Sequence, residues 1–146
     1  MSVLRQFYEI YIFTKEIKAL AFQIVNELDP DFKIFSDILC QKQTFQTKQS
    51  HFLKDLRIIS NKDLKEMILI DSNTLSFSFQ VDNGIPILPW EGDIHDRELK
   101  YLIRYLIKVN HFDDVRLMNQ KCLKLVELAM RNKKDILEMI VELKYF

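Results

Sequence analysis

The stretch YEIYIFTKEIKALAFQIVNELDP, residues 8–30, changes its hydrophobic period at Thr14. Before Thr14 the residues form a short, nearly continuous apolar run, which is typical of a buried β-strand. After it, apolar residues recur at the i, i+3, i+4 and i+7 spacing of one helix face, at Ile17, Leu20, Ala21, Ile24, Val25 and Leu28. Asp29-Pro30 ends this helix, because the residue before a proline avoids helical backbone angles. A strand that leads into a helix is the repeating unit of an α/β fold.

The same alternation of short strands and helices continues along the chain. Strands are predicted at FKIFSDIL (32–39), MILI (67–70) and GIPIL (84–88), and a polar hairpin is predicted at 41–53. Three amphipathic helix faces follow, made of Leu99, Leu102, Ile103 and Leu106, of Val115, Met118, Cys122, Leu125, Val126 and Ala129, and of Ile136, Met139, Ile140 and Leu143. This order predicts a parallel sheet covered by helices. The outer apolar residues of the last helices cover either that sheet or a partner.

The composition argues against several classes of protein. The chain has 146 residues, which fits one domain, and its 21 basic and 21 acidic residues cancel. This balance gives no electrostatic footprint for nucleic acid or anionic lipid. Cys40 and Cys122 match no metal or redox spacing and are expected to be reduced and buried. No apolar run reaches the roughly 18 residues that a membrane span needs, and the N-terminus has no signal-peptide cleavage site.

Several aromatic and titratable side chains fall in segments between the main elements. Phe77 and Phe79 alternate with serines, which is a strand-like pattern of period two. Trp90 follows a proline and is expected to plug a loop, with a ligand-binding role as the alternative. The three histidines, His51, His95 and His111, share no helix face or metal spacing and are expected at the surface.

Four segments occur in an order and spacing that resembles the haloacid-dehalogenase-like phosphatases, in the branch of the RNA polymerase C-terminal-domain phosphatases. They are FYEIYIFTKEIKALAFQIVNELDP (7–30), HFLKDL (51–56), MILIDSNTLSFSF (67–79) and DNGIPILPWEGD (82–93). The resemblance covers nearly all of residues 4–118. It implies a Rossmann-like parallel sheet in residues 1–118, with residues 119–146 as a C-terminal helical extension.

A second, closer likeness lies in PWEGDIHDRELKYLIRYL (89–106) and DDVR (113–116). Trp90, Gly92, Asp96 and the Asp-Val-Arg at 114–116 carry it. Within the branch these residues look most like the receptor subunit of the mitochondrial inner-membrane presequence translocase, which keeps the domain and uses it to bind proteins. The likeness implies a protein-interaction or structural subunit of a mitochondrial complex, with cytoplasm or nucleus as the alternative location.

The resemblance also implies which residues belong to the phosphate pocket. Thr14 matches the hydroxyl that holds a phosphate oxygen, Lys54 the lysine that neutralises charge, and Asp71 an acidic residue that helps to hold magnesium. The family's nucleophile and general acid come from a strand that ends in Asp-x-Asp, and no strand of this sequence has that ending. Ser72 also stands where active members usually carry a second Asp or Asn. The pocket is therefore expected to be inactive and to hold no cofactor.

In the family's fold the strand with Asp-x-Asp lies between the strands that match residues 8–13 and 67–70. Its absence implies a truncated sheet with two open strand edges, whose unpaired backbone groups would each cost about 1–3 kcal/mol. Three alternatives follow for these edges. Either the two strands pair with each other, or a partner chain donates a strand between them. In the third alternative, a second polypeptide completes a split, magnesium-dependent phosphatase in which Asp71 binds the metal. The residues expected to contact a partner are Tyr11, Phe13, Ile68, Ile70 and Trp90.

Overall fold

The computed structural model describes residues 2–127, in which short strands alternate with helices. This confirms the predicted mixed α/β class. The chain divides after Asp55 into two compact units, called unit 1 (up to Asp55) and unit 2 (from Leu56). The predicted helix face at Ile136, Met139, Ile140 and Leu143 lies outside the described residues, as does most of the predicted extension.

Unit 1 is built on a strand–helix–strand motif. Strand β1 (Ile10–Phe13) leads into helix α1 (Lys18–Leu28), and strand β2 (Phe35–Leu39) returns parallel to β1. Its core consists of Ala21, Val25, Ile38 and Cys40, with Ile12 and Phe35 packed against them. The core therefore joins one face of the parallel pair to one side of the helix.

Asp29 makes the turn from α1 to β2. Its backbone N–H caps the helix by donating to the Val25 carbonyl, and its carboxylate accepts the backbone N–H groups of Lys33, Ile34 and Phe35 at 2.9, 2.7 and 3.0 Å. Burial opposes ionisation of this carboxyl, but the three backbone hydrogen bonds and the Lys33 charge outweigh it and lower the pKa of Asp29. The residue that ends the helix thus also fixes where β2 begins.

Helix α1 buries less of its apolar surface than the sequence pattern predicts. Ala21 and Val25 are buried, at 2% and 1% exposed. The neighbouring apolar positions Ile17, Leu20, Ile24 and Leu28 are 40–63% exposed. The single predicted face is therefore split, because the two short strands cover only one side of the helix.

A hairpin follows β2, as predicted for residues 41–53. Strand β3 (Phe45–Gln46) pairs antiparallel with β4 (Phe52–Leu53), so that Phe45 lies opposite Leu53. Ser50 takes a positive φ of 62° in the connecting turn.

Unit 2 contains a second parallel pair. Strand β5 (Leu69–Asp71) pairs with β6 (Gly84–Pro86), and Leu69 lies opposite Gly84. Helix α2 (Glu98–Val109) and helix α3 (Val115–Cys122) follow. Buried apolar side chains of this unit are Leu56, Met67, Leu69, Phe77, Ile85, Leu102, Leu106, Val109, Val115 and Leu125.

Buried amides hold the elements of unit 2 together. Asn83 donates from its Nδ2 to the carbonyls of Leu64 and Met67 at 2.6 and 2.7 Å, which ties the start of β6 to the approach to β5. Asn119 of α3 donates to the Asp82 carbonyl at 2.8 Å and accepts the Tyr105 hydroxyl at 2.9 Å. These satisfied bonds give the Asn-Gly pair at 83–84 a structural role.

Asp114 and Arg116 form the N-terminal cap of α3. The Asp114 carboxylate accepts the backbone N–H of Arg116 at 2.9 Å and pairs with its guanidinium at 2.7 Å. The side-chain hydrogen bond from Arg116 is the main cause that lowers the pKa of Asp114. The Asp-Val-Arg at 114–116 therefore starts a helix in this chain.

The segment around Phe77 is not the strand that its period predicts. Residues Thr74–Phe77 form a 3-10 helix, in which Asn73 accepts the Leu75 N–H at 3.1 Å and the Ser78 hydroxyl donates to the Leu75 carbonyl at 2.8 Å. These local side-chain bonds compete with extended structure. The turn buries Phe77, whose ring would lie 2.4 Å from a Cβ added at Gly84.

The predicted parallel sheet is present as separate small sheets. Within residues 2–127 the strand orders are β1–β2, β3–β4 and β5–β6, each with two strands. The two parallel pairs are consistent with the implied fold, while the missing central strand stays a prediction. No helix within residues 2–127 has the length and apolar character that crossing a membrane requires.

Candidate functional site

Thr14 lies at the carboxyl end of β1, where the family resemblance places it. Its backbone N–H continues the parallel pairing by donating to the Leu39 carbonyl at 2.8 Å. Its hydroxyl oxygen accepts the backbone N–H of Glu16 at 3.1 Å, and the side chain is half-buried. Thr14 thus holds the turn between β1 and α1, at the edge of a parallel sheet where ligands commonly bind.

Lys54 approaches the same end of β1. The Lys54 Nζ lies 5.6 Å from the centroid of the Phe13 ring, a distance suited to a cation–π contact. Phe13 directly precedes Thr14, so unit 1 brings a cation and a hydroxyl to one strand end. This pair offers groups of the kind that hold a phosphate oxygen.

Asp71 is the last residue of β5, in unit 2. Its Oδ1 accepts the backbone N–H of Asn73 at 2.8 Å, and its carbonyl accepts the Ile87 N–H at 3.2 Å. One carboxylate oxygen therefore holds the turn into the 3-10 helix. The next side chain is Ser72, so this strand end presents a carboxylate followed by a hydroxyl.

The donors of the described residues do not by themselves make a magnesium site. Magnesium usually takes one or two carboxylates together with waters and substrate phosphates. The end of β5 supplies Asp71 alone, and residues 2–127 contain no cluster of three or more His, Cys, Asp or Glu side chains suited to a metal ion.

The residues expected to contact a partner differ in exposure. Tyr11, Phe13, Ile68 and Ile70 are half-buried, and the Tyr11 hydroxyl donates to Glu9 at 3.2 Å. Trp90 is 70% exposed, so its predicted role as a loop plug is wrong.

The histidines and cysteines were predicted to be exposed and buried, respectively. His51, His95 and His111 are exposed as predicted. Cys40 is buried as predicted, whereas Cys122 is exposed.

Sequence reasoning missed a surface cavity at the start of α2. The cavity has a volume of about 480 Å³ and is lined by Leu88, Pro89, Glu91, Asp93, His95, Asp96, Arg97, Glu98 and Tyr101. The acidic residues between Glu91 and Glu98 were the feature of the sequence that could have indicated this cavity. The sequence does not show that the neighbouring apolar side chains are exposed, so the cavity was not predicted.

The model of the NLI interacting factor-like phosphatase family matches residues 1–116. The chain belongs to this family. The match spans β1 to the start of α3, so it includes Thr14, Lys54 and Asp71 as well as the cavity. It confirms the phosphatase-like resemblance drawn from the four sequence segments.

Relatives within the family carry two kinds of name. The chain is 37% identical over 109 residues to CTD small phosphatase-like protein 2 of Dictyostelium discoideum, which covers 75% of the chain. It is 34% identical to mitochondrial import inner membrane translocase subunit TIM50 of Yarrowia lipolytica, in an alignment of 118 residues that covers 80% of the chain. It is 31% identical to TIM50 of Mus musculus, in an alignment of 115 residues that covers 75% of the chain. The chain spans 19%, 25% and 31% of the lengths of these three relatives.

Proposed function

We propose that this chain is a phosphatase-like subunit that binds other proteins in a mitochondrial complex and does not hydrolyse phosphate esters itself. The observation that carries this proposal is the end of β5. There Asp71 is followed by Ser72, and one of its carboxylate oxygens is used to hold the Asn73 backbone. Phosphoryl transfer in the family needs a carboxylate nucleophile and a second acidic group beside the metal.

The side chains at the end of β1 do not replace those groups. Thr14 and Lys54 can stabilise negative charge on a phosphate, but neither is a carboxylate nucleophile. Among the parallel strands of residues 2–127, only β5 ends in an acidic residue. Under this proposal, the strand ends within residues 2–127 offer groups that can hold an anion but not the pair of carboxylates that would break the P–O bond.

The relatives support the proposed location and the proposed membership in a protein complex. Proteins named as TIM50 subunits of the mitochondrial import inner membrane translocase, from Yarrowia lipolytica, mouse and human, confirm the predicted mitochondrial location. The word "subunit" in those names implies membership in a protein complex. Which proteins this chain contacts is part of the proposal.

Strand donation is the finer part of the proposal. Within residues 2–127, β1 pairs with β2 and β5 pairs with β6, so each has one neighbouring strand. A two-stranded sheet is marginal by itself, and parallel sheets are normally larger and covered on both faces. A further strand alongside β1 or β5, near Tyr11, Phe13, Ile68 and Ile70, would extend these small sheets.

The test is phosphatase turnover of the purified chain with magnesium and p-nitrophenyl phosphate. We expect the wild-type rate to equal that of the Asp71→Ala variant, because no described group acts as the nucleophile. Circular dichroism of both proteins controls for folding. Turnover that depends on Asp71 would overturn the proposal of an inactive domain.

A split phosphatase is the second candidate. The chain is 37% identical to a protein named as a phosphatase-like protein, and Lys54 contacts the Phe13 ring, next to Thr14 in the sequence. In that case a second polypeptide supplies a strand ending in Asp-x-Asp, and magnesium binds between that motif and Asp71. Identification of co-purifying chains by mass spectrometry tests this directly. The candidate requires such a motif in a partner and turnover that appears only in the complex.

A further inference from the structure

Asn83 and Gly84 form the only Asn-Gly pair in the sequence. In an unfolded chain this dipeptide is the one in which asparagine most readily loses its amide, because glycine has no side chain to shield its nitrogen. The Gly84 backbone nitrogen loses its proton and attacks the Asn83 Cγ, and the side-chain nitrogen leaves as ammonia. Water then opens the resulting succinimide ring at one of its two carbonyls, which leaves aspartate or isoaspartate at position 83.

The folded chain holds the Asn83 side chain away from this reaction. Asn83 is 2% exposed, and its Nδ2 donates to the Leu64 carbonyl at 2.6 Å and to the Met67 carbonyl at 2.7 Å. The nitrogen that must leave is therefore bonded twice. Turning the carboxamide toward the backbone would break two buried hydrogen bonds, each of which is costly to leave unmade.

The attacking nitrogen is restrained as well. The Gly84 N–H donates to the Val81 carbonyl, and Gly84 lies opposite Leu69 in the parallel pair of β5 and β6. Gly84 is buried, and a buried site disfavours the anion that forms when this nitrogen loses its proton. Folding thus restrains both of the reacting groups.

Packing also excludes the residues that would make the pair less reactive. A Cβ at position 84 would lie 2.4 Å from the Phe77 ring, so a side chain that shields the nitrogen does not fit. An aspartate at position 83 would place an ionised carboxylate, which only accepts hydrogen bonds, against the carbonyls of Leu64 and Met67, which also only accept. The contacts that fix the start of β6 therefore retain a labile dipeptide in the chain.

We propose that Asn83 is a modification site at which deamidation is controlled by the folding of unit 2. The folded unit protects the amide, whereas time spent unfolded converts it irreversibly. Neither product restores the two donated hydrogen bonds, and isoaspartate also adds a carbon to the main chain at the start of β6. A converted chain therefore loses the ability to refold unit 2. This inference does not depend on whether the chain hydrolyses phosphate esters.

The protection is measured by incubating the purified chain at mildly alkaline pH, either in buffer or in guanidinium chloride that unfolds it. Peptides are prepared at mildly acidic pH and fragmented in a mass spectrometer, which locates the mass change at each asparagine. We expect Asn83 to be converted at least about a hundredfold more slowly in buffer, because the reaction then requires opening of a buried segment. Asn110 is exposed in the folded chain and is the internal control, for which we expect a much smaller difference.

The loss of refolding is measured on chain that has been aged in guanidinium chloride and then diluted into buffer. Size-exclusion chromatography separates the folded fraction from the rest. We expect conversion at Asn83 to be confined to the fraction that fails to fold, and conversion at Asn110 to occur in both fractions. Asn83→Asp should also lower the guanidinium chloride midpoint, with Asn110→Asp as the matched exposed control. If Asn83→Asp does not fold at all, the fractions of aged wild-type chain still give the answer.

Two results would contradict the inference. Equal conversion of Asn83 in buffer and in guanidinium chloride would mean that the fold does not protect the amide. A folded fraction in which Asn83 is converted as often as in the unfolded fraction would mean that the product does not prevent refolding.

Discussion

At the scale of single residues, the contact between Gly84 and Phe77 restricts the sequence of unit 2. A Cβ at position 84 would lie 2.4 Å from the Phe77 ring, which is 2% exposed and has little room to move. We expect Gly84→Ala to lower the free energy of unfolding by about 1–3 kcal/mol, as overpacking does, measured by urea denaturation. Adding Phe77→Leu should relieve part of that loss, and strictly additive effects would contradict the proposed contact.

Asp29 gives a residue-scale prediction about pH. Its pKa is lower in the folded chain than in the unfolded one, so its hydrogen bonds contribute stability above the unfolded value of about 3.9. That contribution is lost as the pH falls through the folded pKa, because protonation removes the charge that the three N–H groups stabilise. We expect the acid-induced loss of stability below about pH 4 to be smaller in Asp29→Asn, measured by urea denaturation across pH. The exposed Asp31→Asn is the control and should behave as wild type.

At the scale of elements, the sequence predicts helices better than it predicts pairing. Helix α1 lies where its period and Asp29-Pro30 place it, since both signals are local. The segment at Phe77 deviates because the Asn73 and Ser78 side chains stabilise a 3-10 turn. Such a turn repeats every three residues, although serine and phenylalanine alternate here with a period of two. Strand neighbours and the exposure of Trp90 depend on contacts between distant residues, which one sequence does not specify.

The split face of α1 can be tested by two neighbouring substitutions. Val25 is 1% exposed, and Val25→Ala should cost about 2 kcal/mol through lost burial and a small cavity. Ile24 is 44% exposed, and Ile24→Ala should change the stability of the isolated chain by less than about 0.5 kcal/mol. Chemical denaturation of both variants measures the difference. Equal losses would mean that Ile24 is buried against something in the isolated chain.

At the scale of the whole molecule, the positions of the candidate phosphate pocket come from both units. Thr14 and Lys54 belong to unit 1, whereas Asp71 belongs to unit 2. Substitutions of the anion-binding candidates in unit 1 need not alter the stability or contacts of unit 2, since effects at distant, independent sites usually add.

Lys54→Met tests whether unit 1 contributes to phosphate chemistry, since it removes the charge near Phe13 and keeps an unbranched side chain. We expect the variant to leave the p-nitrophenyl phosphate background of the purified chain unchanged. If Lys54→Met instead abolishes turnover in a complex with a partner that carries Asp-x-Asp, the lysine still neutralises phosphate charge. The chain would then be half of an enzyme, and the inactive-domain proposal would be wrong.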